Sequence, residues 1–275
     1  MNTICIKIDF KTLNPWREIV LSDLAVIGFD SFVETKTGLE CYIAEDKFSK
    51  DMIFPLGNYK EHINDYSIET IEDKNWNAEW ETNFEPVFVE DKLAIIAPFH
   101  QGEYKHKIVI TIQPQMSFGT GHHQTTWLAS KKMFDLNLKG KSVLDMGTGT
   151  GVLAILAEKL GAEYIFAPDI DEWSYNNAKE NISINKCMNI EVALGDDKLL
   201  DGKQFDVIIA NINKNILIQH YPAYAKSLKK GGIMLNSGFF TTDKQDLIDE
   251  AKKYGFIFES IDSKDEWALM SFVKV

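Results

Sequence analysis

Arginine is nearly absent from this chain of 275 residues: Arg17 is the only one among its 29 Lys and Arg residues. Arginine supplies the bidentate contacts that most often read guanine and phosphate. The 41 acidic residues give a formal net charge of −12, whereas a general nucleic-acid binder needs a basic face for phosphate contacts. The composition argues against direct nucleic-acid specificity and favours a basic protein partner.

Cysteine and long apolar runs are also scarce. Cys5, Cys41 and Cys187 are far apart and form no CxxC pair, which fits a reducing cytoplasm and gives no metal site. No apolar stretch approaches the length that spans a bilayer, and no signal peptide is apparent. We therefore expect a cytoplasmic protein with no membrane partner, whose 45% hydrophobic residues can supply a core.

Residues 1–71 have the pattern of a small, self-contained α+β domain. Strand, helix, strand, strand, helix and strand follow in that order, with helices over 15–27 and around 49–62. This order predicts a ferredoxin-like domain. Residues 1–70 contain seven Lys/Arg against twelve Asp/Glu and no basic aromatic RNA-binding signature. We interpret the domain as a docking module for a protein substrate.

Residues 72–91 are predicted to form a linker helix and a connection to a third segment, 92–275. Trp76, Trp80 and Phe84 are four residues apart, which places them on one stripe of a helix. The same spacing would suit an ordinary core helix equally well.

The stretch SVLDMGTGTG at 142–151 organises the rest of the chain. A short apolar run ends at Asp145, Gly147, Gly149 and Gly151 follow at alternate positions, and an apolar helical pattern begins directly after them. Such glycines leave backbone N–H groups bare at the positive end of a helix, where a cofactor can lie. A dinucleotide fingerprint has a longer spacing before its third glycine, so nicotinamide and flavin enzymes are disfavoured.

Strands and helices alternate after this turn, which predicts a doubly wound, Rossmann-like sheet. The second strand ends at Asp169, where an acid can accept the hydroxyls of a ribose. The predicted strands are 164–168, 190–193, 205–209 and 233–236, the helices are 152–160, 172–181, 223–229 and 243–254, and FIFESID with WALMSFVKV forms an antiparallel C-terminal hairpin.

A second glycine-containing loop, MSFGTGHHQTT at 116–126, precedes another apolar helical pattern. Thr125 and Thr126 could cap this helix or present hydroxyls to a ligand. His122 and His123 are adjacent, so they point in different directions, and no third ligand has a recognisable spacing. We therefore predict no metal site.

The segment 141–171 resembles the first unit of the S-adenosylmethionine-dependent methyltransferases. Together, KNWNAEW, FGTGHHQTT and the run ANI at 210–212 resemble one family, the methyltransferases that modify large-subunit ribosomal protein eleven. The match runs from about Asp73 to the C-terminus and includes Trp267. The resemblance implies S-adenosyl-L-methionine as the cofactor, with contacts at Thr126, Gly147, Asp169 and Asn211, and the geometry of the glycine turn adds Gly149.

The resemblance also implies methyl transfer to lysine ε-amino and N-terminal α-amino groups of a large-subunit ribosomal protein. This chemistry needs alignment and desolvation of a neutral amine. Because no base is compelled, we assign no catalytic residue. Asn211 could orient the amine or hold the methionine end of the cofactor.

Two departures and two alternatives accompany this interpretation. After Asn211 the family commonly has a small residue and then Asn-Pro, whereas this chain reads INKN. The alternatives are a methyltransferase that acts on RNA or a small molecule, and a non-catalytic binding protein with a vestigial cofactor fold. The absence of a proline or aromatic residue directly after Asn211 disfavours a base-stacking RNA enzyme. Pro168 before Asp169, where the family usually has glycine, is a milder departure.

Overall fold

A computed structural model describes residues 2–71, 84–115 and 117–275. The chain divides into two compact units, Met1–Asn83 and Phe84–Val275. The helix predicted from Trp76 and Trp80 lies outside the described residues, as does Met116 in the second glycine loop. None of the described helices is long and apolar enough to cross a membrane.

The elements of the first unit are β1 (Thr3–Phe10), α1 (Trp16–Ile27), β2 (Ser31–Glu34), β3 (Gly38–Ala44), 3₁₀ segments Glu45–Lys47 and Lys50–Tyr59, and β4 (Ile63–Ile71). The four strands form one antiparallel sheet with the order β2-β3-β1-β4. Alternate residues of β1 pack against Val20 and Leu24 of α1, because successive strand side chains point to opposite faces. The helix expected around 49–62 is a 3₁₀ helix with Pro55 inside it, a residue that an α-helix interior disfavours.

The second unit opens with a small sheet of β5 (Val87–Val89), β6 (Leu93–Ile96) and β7 (Ile108–Thr111). Strand β5 is antiparallel to β6, and β6 is parallel to β7. Val89 is fully buried in the core of this unit. The connection predicted over 72–91 therefore extends too far, because its last residues already belong to the second unit.

A seven-stranded sheet forms the centre of the second unit. Its strands are β8 (Ser142–Met146), β9 (Tyr164–Asp169), β10 (Ile190–Leu194), β11 (Phe205–Asn211), β12 (Leu228–Phe240), β13 (Phe256–Lys264) and β14 (Trp267–Lys274). Their order in the sheet is β10-β9-β8-β11-β12-β14-β13. Neighbours from β10 to β12 are parallel, and β14 is antiparallel to both β12 and β13. This is the mixed α/β sheet with a C-terminal hairpin that the sequence predicts.

Helices cover both faces of this sheet. They are α2 (Gln124–Met133), α3 (Val152–Lys159), α4 (Glu172–Ile184), α5 (Lys214–Ser227) and α6 (Lys244–Lys253). Val143 and Ile165 belong to one buried cluster with α2 and α3, whereas Leu144 and Phe166 belong to another with α5 and α6. Because both faces of the strands are buried, their sequences are almost continuously apolar.

Helix α5 spans Lys214–Ser227, so the helix predicted over 223–229 exists but begins nine residues earlier than predicted. Pro222 normally interrupts a helix because it lacks an N–H group and crowds the preceding turn. Here Pro222 lies inside α5, and the Asn213 side chain caps the first turn by accepting the Ile216 N–H at 3.2 Å. Burial of Leu217, Tyr221 and Tyr224 against the sheet stabilises the longer helix.

Candidate functional site

A cavity of about 620 Å³ lies at the carboxyl ends of the parallel strands. Doubly wound sheets bind their ligands at this edge. The wall is formed by strand ends, the loop before α2, helix α5 and the last hairpin, which contribute Phe118, His123, Thr125, Met146, Gly147, Gly149, Asp169, Ile170, Ser174, Gly195, Asp196, Asn211, Ile212, Asn213, Ile216, His220, Gly238 and Trp267.

The glycine turn forms one side of this cavity. Gly147, Gly149 and Gly151 have φ values of +71°, +56° and +82°, in the left-handed region that favours glycine. Asp145 accepts the Thr148 hydroxyl at 2.7 Å and the Ala154 N–H at 3.1 Å, which joins the turn to α3. Burial raises the pKa of Asp145 to about 6, although these hydrogen bonds oppose the shift.

Asp169 joins the end of β9 to the same turn. Its Oδ2 accepts the Gly149 N–H at 2.9 Å, and its Oδ1 accepts the Asp171 N–H at 3.0 Å. The side chain lines the cavity although the residue is only 8% exposed. A carboxylate in this position is an acceptor suited to hydroxyl groups.

The second glycine loop packs directly on the glycine turn. The Thr150 N–H donates to the Phe118 carbonyl at 2.9 Å, and the Thr150 hydroxyl donates to the Gly119 carbonyl at 2.6 Å. A Cβ atom at Gly149 would lie 2.2 Å from the Phe118 carbonyl oxygen. Because Gly149 has no side chain, the loop that contains Phe118 can pack against its backbone. The sequence did not predict this packing role of Gly149.

Asn211 lies on the cavity wall at the end of β11. Its Nδ2 donates to the Thr126 hydroxyl at 3.3 Å, while its buried Oδ1 has no hydrogen-bond partner among the described residues. Thr126 is fully buried behind Asn211 and does not line the cavity, whereas its neighbour Thr125 does.

The cavity therefore brings together four of the five predicted cofactor residues: Gly147, Gly149, Asp169 and Asn211. Thr126 supports Asn211 from behind instead. The binding roles of all five stay predictions.

The two adjacent histidines have different surroundings. His123 lines the cavity, and its Nδ1 accepts the Thr125 N–H at 3.3 Å as the cap of α2. Burial lowers the pKa of His123. His122 Nε2 donates to the Glu85 carbonyl at 2.9 Å. Within the described ranges, no group of three His, Cys, Asp or Glu residues could hold a metal ion.

Sequence reasoning missed several residues of the wall. Gly195 and Asp196 follow β10 as Asp171 follows β9, so the rule that ligands bind at carboxyl ends of strands could have located them. His220 was missed because α5 was predicted to begin after Pro222. No local pattern brings Gly238 to the cavity, because its place depends on long-range strand pairing.

His220 lies on α5 beside the 3₁₀ segment Asp197–Leu200, which follows Asp196. Its Nδ1 accepts the hydroxyl of the buried Tyr224 at 3.1 Å, and its Nε2 is 3.7 Å from Asp197 Oδ1. Burial lowers the pKa of His220, and the nearby carboxylate of Asp197 opposes this shift.

This cavity fits an adenosyl cofactor with an amino-acid tail. Asp169 offers an acceptor for ribose hydroxyls, and the buried Asn211 Oδ1 offers an acceptor for an amino group. Together, the doubly wound sheet, the glycine turn and these acceptors define the class of an S-adenosyl-L-methionine-dependent methyltransferase.

Comparison with known proteins identifies the family. The family model described as Ribosomal protein L11 methyltransferase (PrmA) matches residues 22–275. Curated proteins named ribosomal protein L11 methyltransferase include one from Phocaeicola vulgatus, 44% identical over 274 residues, with 95% of this chain and 96% of that protein covered. One from Chlorobaculum tepidum is 35% identical over 276 residues, covering 95% and 94%. The chain belongs to the ribosomal protein L11 methyltransferase family.

A solved structure supports the same assignment. The ribosomal protein L11 methylase from Lactobacillus delbrueckii subsp. bulgaricus is 28% identical, with a TM-score of 0.64 over 70% of this chain and 99% of that chain. The predicted family, methyltransferase activity and S-adenosyl-L-methionine cofactor are confirmed.

Proposed function

We propose that the chain methylates lysine ε-amino groups and the N-terminal α-amino group of ribosomal protein L11. The curated relatives bear the name of that substrate. The structural observation that carries the proposal is Asn211 Oδ1, a buried acceptor without a partner among the described residues. Such an oxygen suits an N–H donor, either the incoming amine or the amino group of the cofactor.

Desolvation is the main contribution of the cavity to this reaction. Phe118, Met146, Ile212 and Trp267 give its wall an apolar character. A lysine amine has a pKa of about 10.4 in water, and burial lowers the pKa of an amine because it disfavours the charged form. When bound, S-adenosyl-L-methionine supplies an activated methyl group. The chain excludes water and orients the neutral amine.

The titratable side chains of the wall already have partners within the protein. Both carboxylate oxygens of Asp169 accept backbone N–H groups, and Asp196 accepts from the backbone and side chain of Lys198. The Nδ1 atoms of His123 and His220 accept from Thr125 and Tyr224. We therefore assign no catalytic base and infer that the amine loses its proton to water before transfer.

We further propose that residues 1–71 form a ferredoxin-like docking domain for L11. The sheet order β4-β1-β3-β2 supports this proposal, with α1 and the 3₁₀ segment Lys50–Tyr59 following the first and third strands. The sheet face opposite its core carries four acids and one lysine, namely Asp9, Glu40, Asp65, Glu69 and Lys7. An acidic face suits a basic protein.

A cytoplasmic location is part of this proposal. All three cysteines are free and buried, as expected for a protein that works in a reducing compartment.

The acceptor is tested by transfer of labelled methyl groups from S-adenosyl-L-methionine. Purified L11 and free ribosomal RNA should be offered in parallel to the full-length protein. We expect label in L11 and none in RNA. Label in RNA alone would overturn the proposal, and tight cofactor binding without label in either would favour a non-catalytic binding protein.

A further inference from the structure

Three asparagines at four-residue intervals lie on the side of helix α4 that faces β7 and the segment after it: Asn177 and Asn181 within the helix, and Asn185 at its C-cap. Asn177 and Asn181 are almost fully buried. Four helical residues advance about 6 Å, and two strand residues advance about 6.6 Å. A ladder of asparagines spaced four residues apart on a helix can therefore form hydrogen bonds with the backbone of alternate residues of a strand.

The ladder pairs with the backbone of Thr111 and Gln113. Asn185 accepts the Thr111 N–H at 2.9 Å and donates to the Thr111 carbonyl at 2.6 Å. Asn181 accepts the Gln113 N–H at 2.7 Å, and Asn177 donates to the Gln113 carbonyl at 3.1 Å. The asparagines thus take the place of a neighbouring strand for backbone groups that must be paired when buried.

Asn181 differs from its neighbours because it also contacts the glycine turn. Its Nδ2 donates to the Thr150 carbonyl at 2.9 Å. The N–H and hydroxyl groups of Thr150 donate to the carbonyls of Phe118 and Gly119. The buried side-chain amide of Asn181 therefore links Gln113, where the segment leading to Phe118 begins, with Thr150 of the glycine turn. Phe118 itself packs on this turn.

Neither Asn181 nor Thr150 lines the cavity, and both are fully buried. Phe118, Gly149 and His123 do line it. An influence of Asn181 or Thr150 on the cofactor must therefore pass through the turn and the loop that they hold.

We propose that Asn181, acting through Thr150, is a positioning residue that aligns the glycine turn and the Phe118 loop for cofactor binding. The loop is fixed at Gln113 by Asn181 and at Phe118 and Gly119 by Thr150. Loss of either anchor lets the Phe118 carbonyl move away from Gly149, which opens the cofactor side of the cavity. The proposal depends on the cofactor alone and not on the identity of the acceptor.

Asn181→Leu and Asn185→Leu form a matched pair of variants for a test. Both remove side-chain hydrogen bonds to the backbone around β7, but only Asn181→Leu removes the contact with Thr150. The affinity of the full-length protein for S-adenosylhomocysteine should be measured by calorimetric titration, beside the melting temperature. Wild-type binding of this probe is the reference.

We expect Asn181→Leu to lose affinity by about tenfold or more, which is about 1.4 kcal/mol, and Asn185→Leu by less than about threefold. Amide hydrogen exchange over 117–123 should accelerate only in Asn181→Leu. Unchanged affinity in folded Asn181→Leu would overturn the proposal. Equal losses in both variants would also overturn it, because they would show a role in stability alone.

Thr150 supplies a second test that holds even if Asn181→Leu fails to fold. Thr150→Val removes the hydroxyl that reaches the Gly119 carbonyl, whereas Thr150→Ser keeps it. We expect weaker binding of S-adenosylhomocysteine in Thr150→Val and near-normal binding in Thr150→Ser. Equal affinity in these two variants would contradict the proposed alignment of the loop.

Discussion

Replacement of Asp145 by asparagine should change how the stability of the protein depends on pH. Asp145 is 1% exposed, and burial raises its pKa from the ordinary value of 3.8 to about 6. Between these values the unfolded chain has released the proton while the folded chain retains it. The wild-type protein therefore loses stability from this group as the pH rises from below 4 to above 6.

The size of this loss follows from the shift in pKa. A difference of about two units corresponds to about 3 kcal/mol, since one unit is about 1.36 kcal/mol. Asparagine resembles the protonated acid in shape, and its one carbonyl oxygen can accept both of the hydrogen bonds that Asp145 Oδ2 receives from Thr148 and Ala154. We expect Asp145→Asn to match the wild type near pH 4 and to exceed its stability by up to about 3 kcal/mol at pH 7.

Urea unfolding of both full-length proteins at several pH values between 4 and 8 measures this difference. Asp206→Asn is a control of opposite sign. Burial acts to raise the pKa of Asp206, but hydrogen bonds from Ser142 and Lys229 lower it well below its ordinary value of 3.8. That variant should therefore be less stable than the wild type throughout this pH range and should approach it only at pH values below 3.8. Parallel stability profiles for the wild type and Asp145→Asn would refute the reasoning.

Three further predictions concern the site and the two units. Asp169→Ala should weaken S-adenosylhomocysteine binding by about 1.5 to 3 kcal/mol, the contribution of hydrogen bonds to a charged group; unchanged calorimetric affinity in the folded variant would contradict the role of this acid. Gly149→Ala should lower both the melting temperature and cofactor affinity, because its Cβ would lie 2.2 Å from the Phe118 carbonyl oxygen. Gly57→Ala should be tolerated, because the nearest atom to its Cβ would be 4.0 Å away. Equal melting temperatures in these two variants would contradict the close packing at Gly149. A protein that begins at Phe84 should bind S-adenosyl-L-methionine but methylate L11 slowly, because docking energy is lost, and a folded truncation with the full rate would refute the docking role.

The sequence predicts the glycine turn and the strand before it because their signals are local. Glycines at alternate positions after Asp145 leave few other structures for the backbone, and a strand that ends at Asp169 has a defined place in a parallel sheet. Residues such as Asn211 were located by family resemblance and then found on the cavity wall.

Other features depend on contacts between distant residues. The pairing of Asn181 with Gln113 joins positions 68 residues apart, and helical periodicity alone cannot identify such a partner. The start of α5 was predicted too late because proline disfavours the interior of a helix. Burial of the apolar side of α5 against the sheet outweighs this local effect of Pro222. Likewise, β5 belongs to the second unit and not to the connection predicted over 72–91, because it pairs with β6.

The central claim concerns the chemical group that receives the methyl. L11 that has been incubated with the full-length protein and S-adenosyl-L-methionine should be digested, and its peptides mapped by mass spectrometry beside an Asp169→Ala control. We predict methyl groups on lysine side chains and on the N-terminal amine, and far fewer with the control. Methyl groups confined to other atoms of L11, or none above the control, would contradict the proposal.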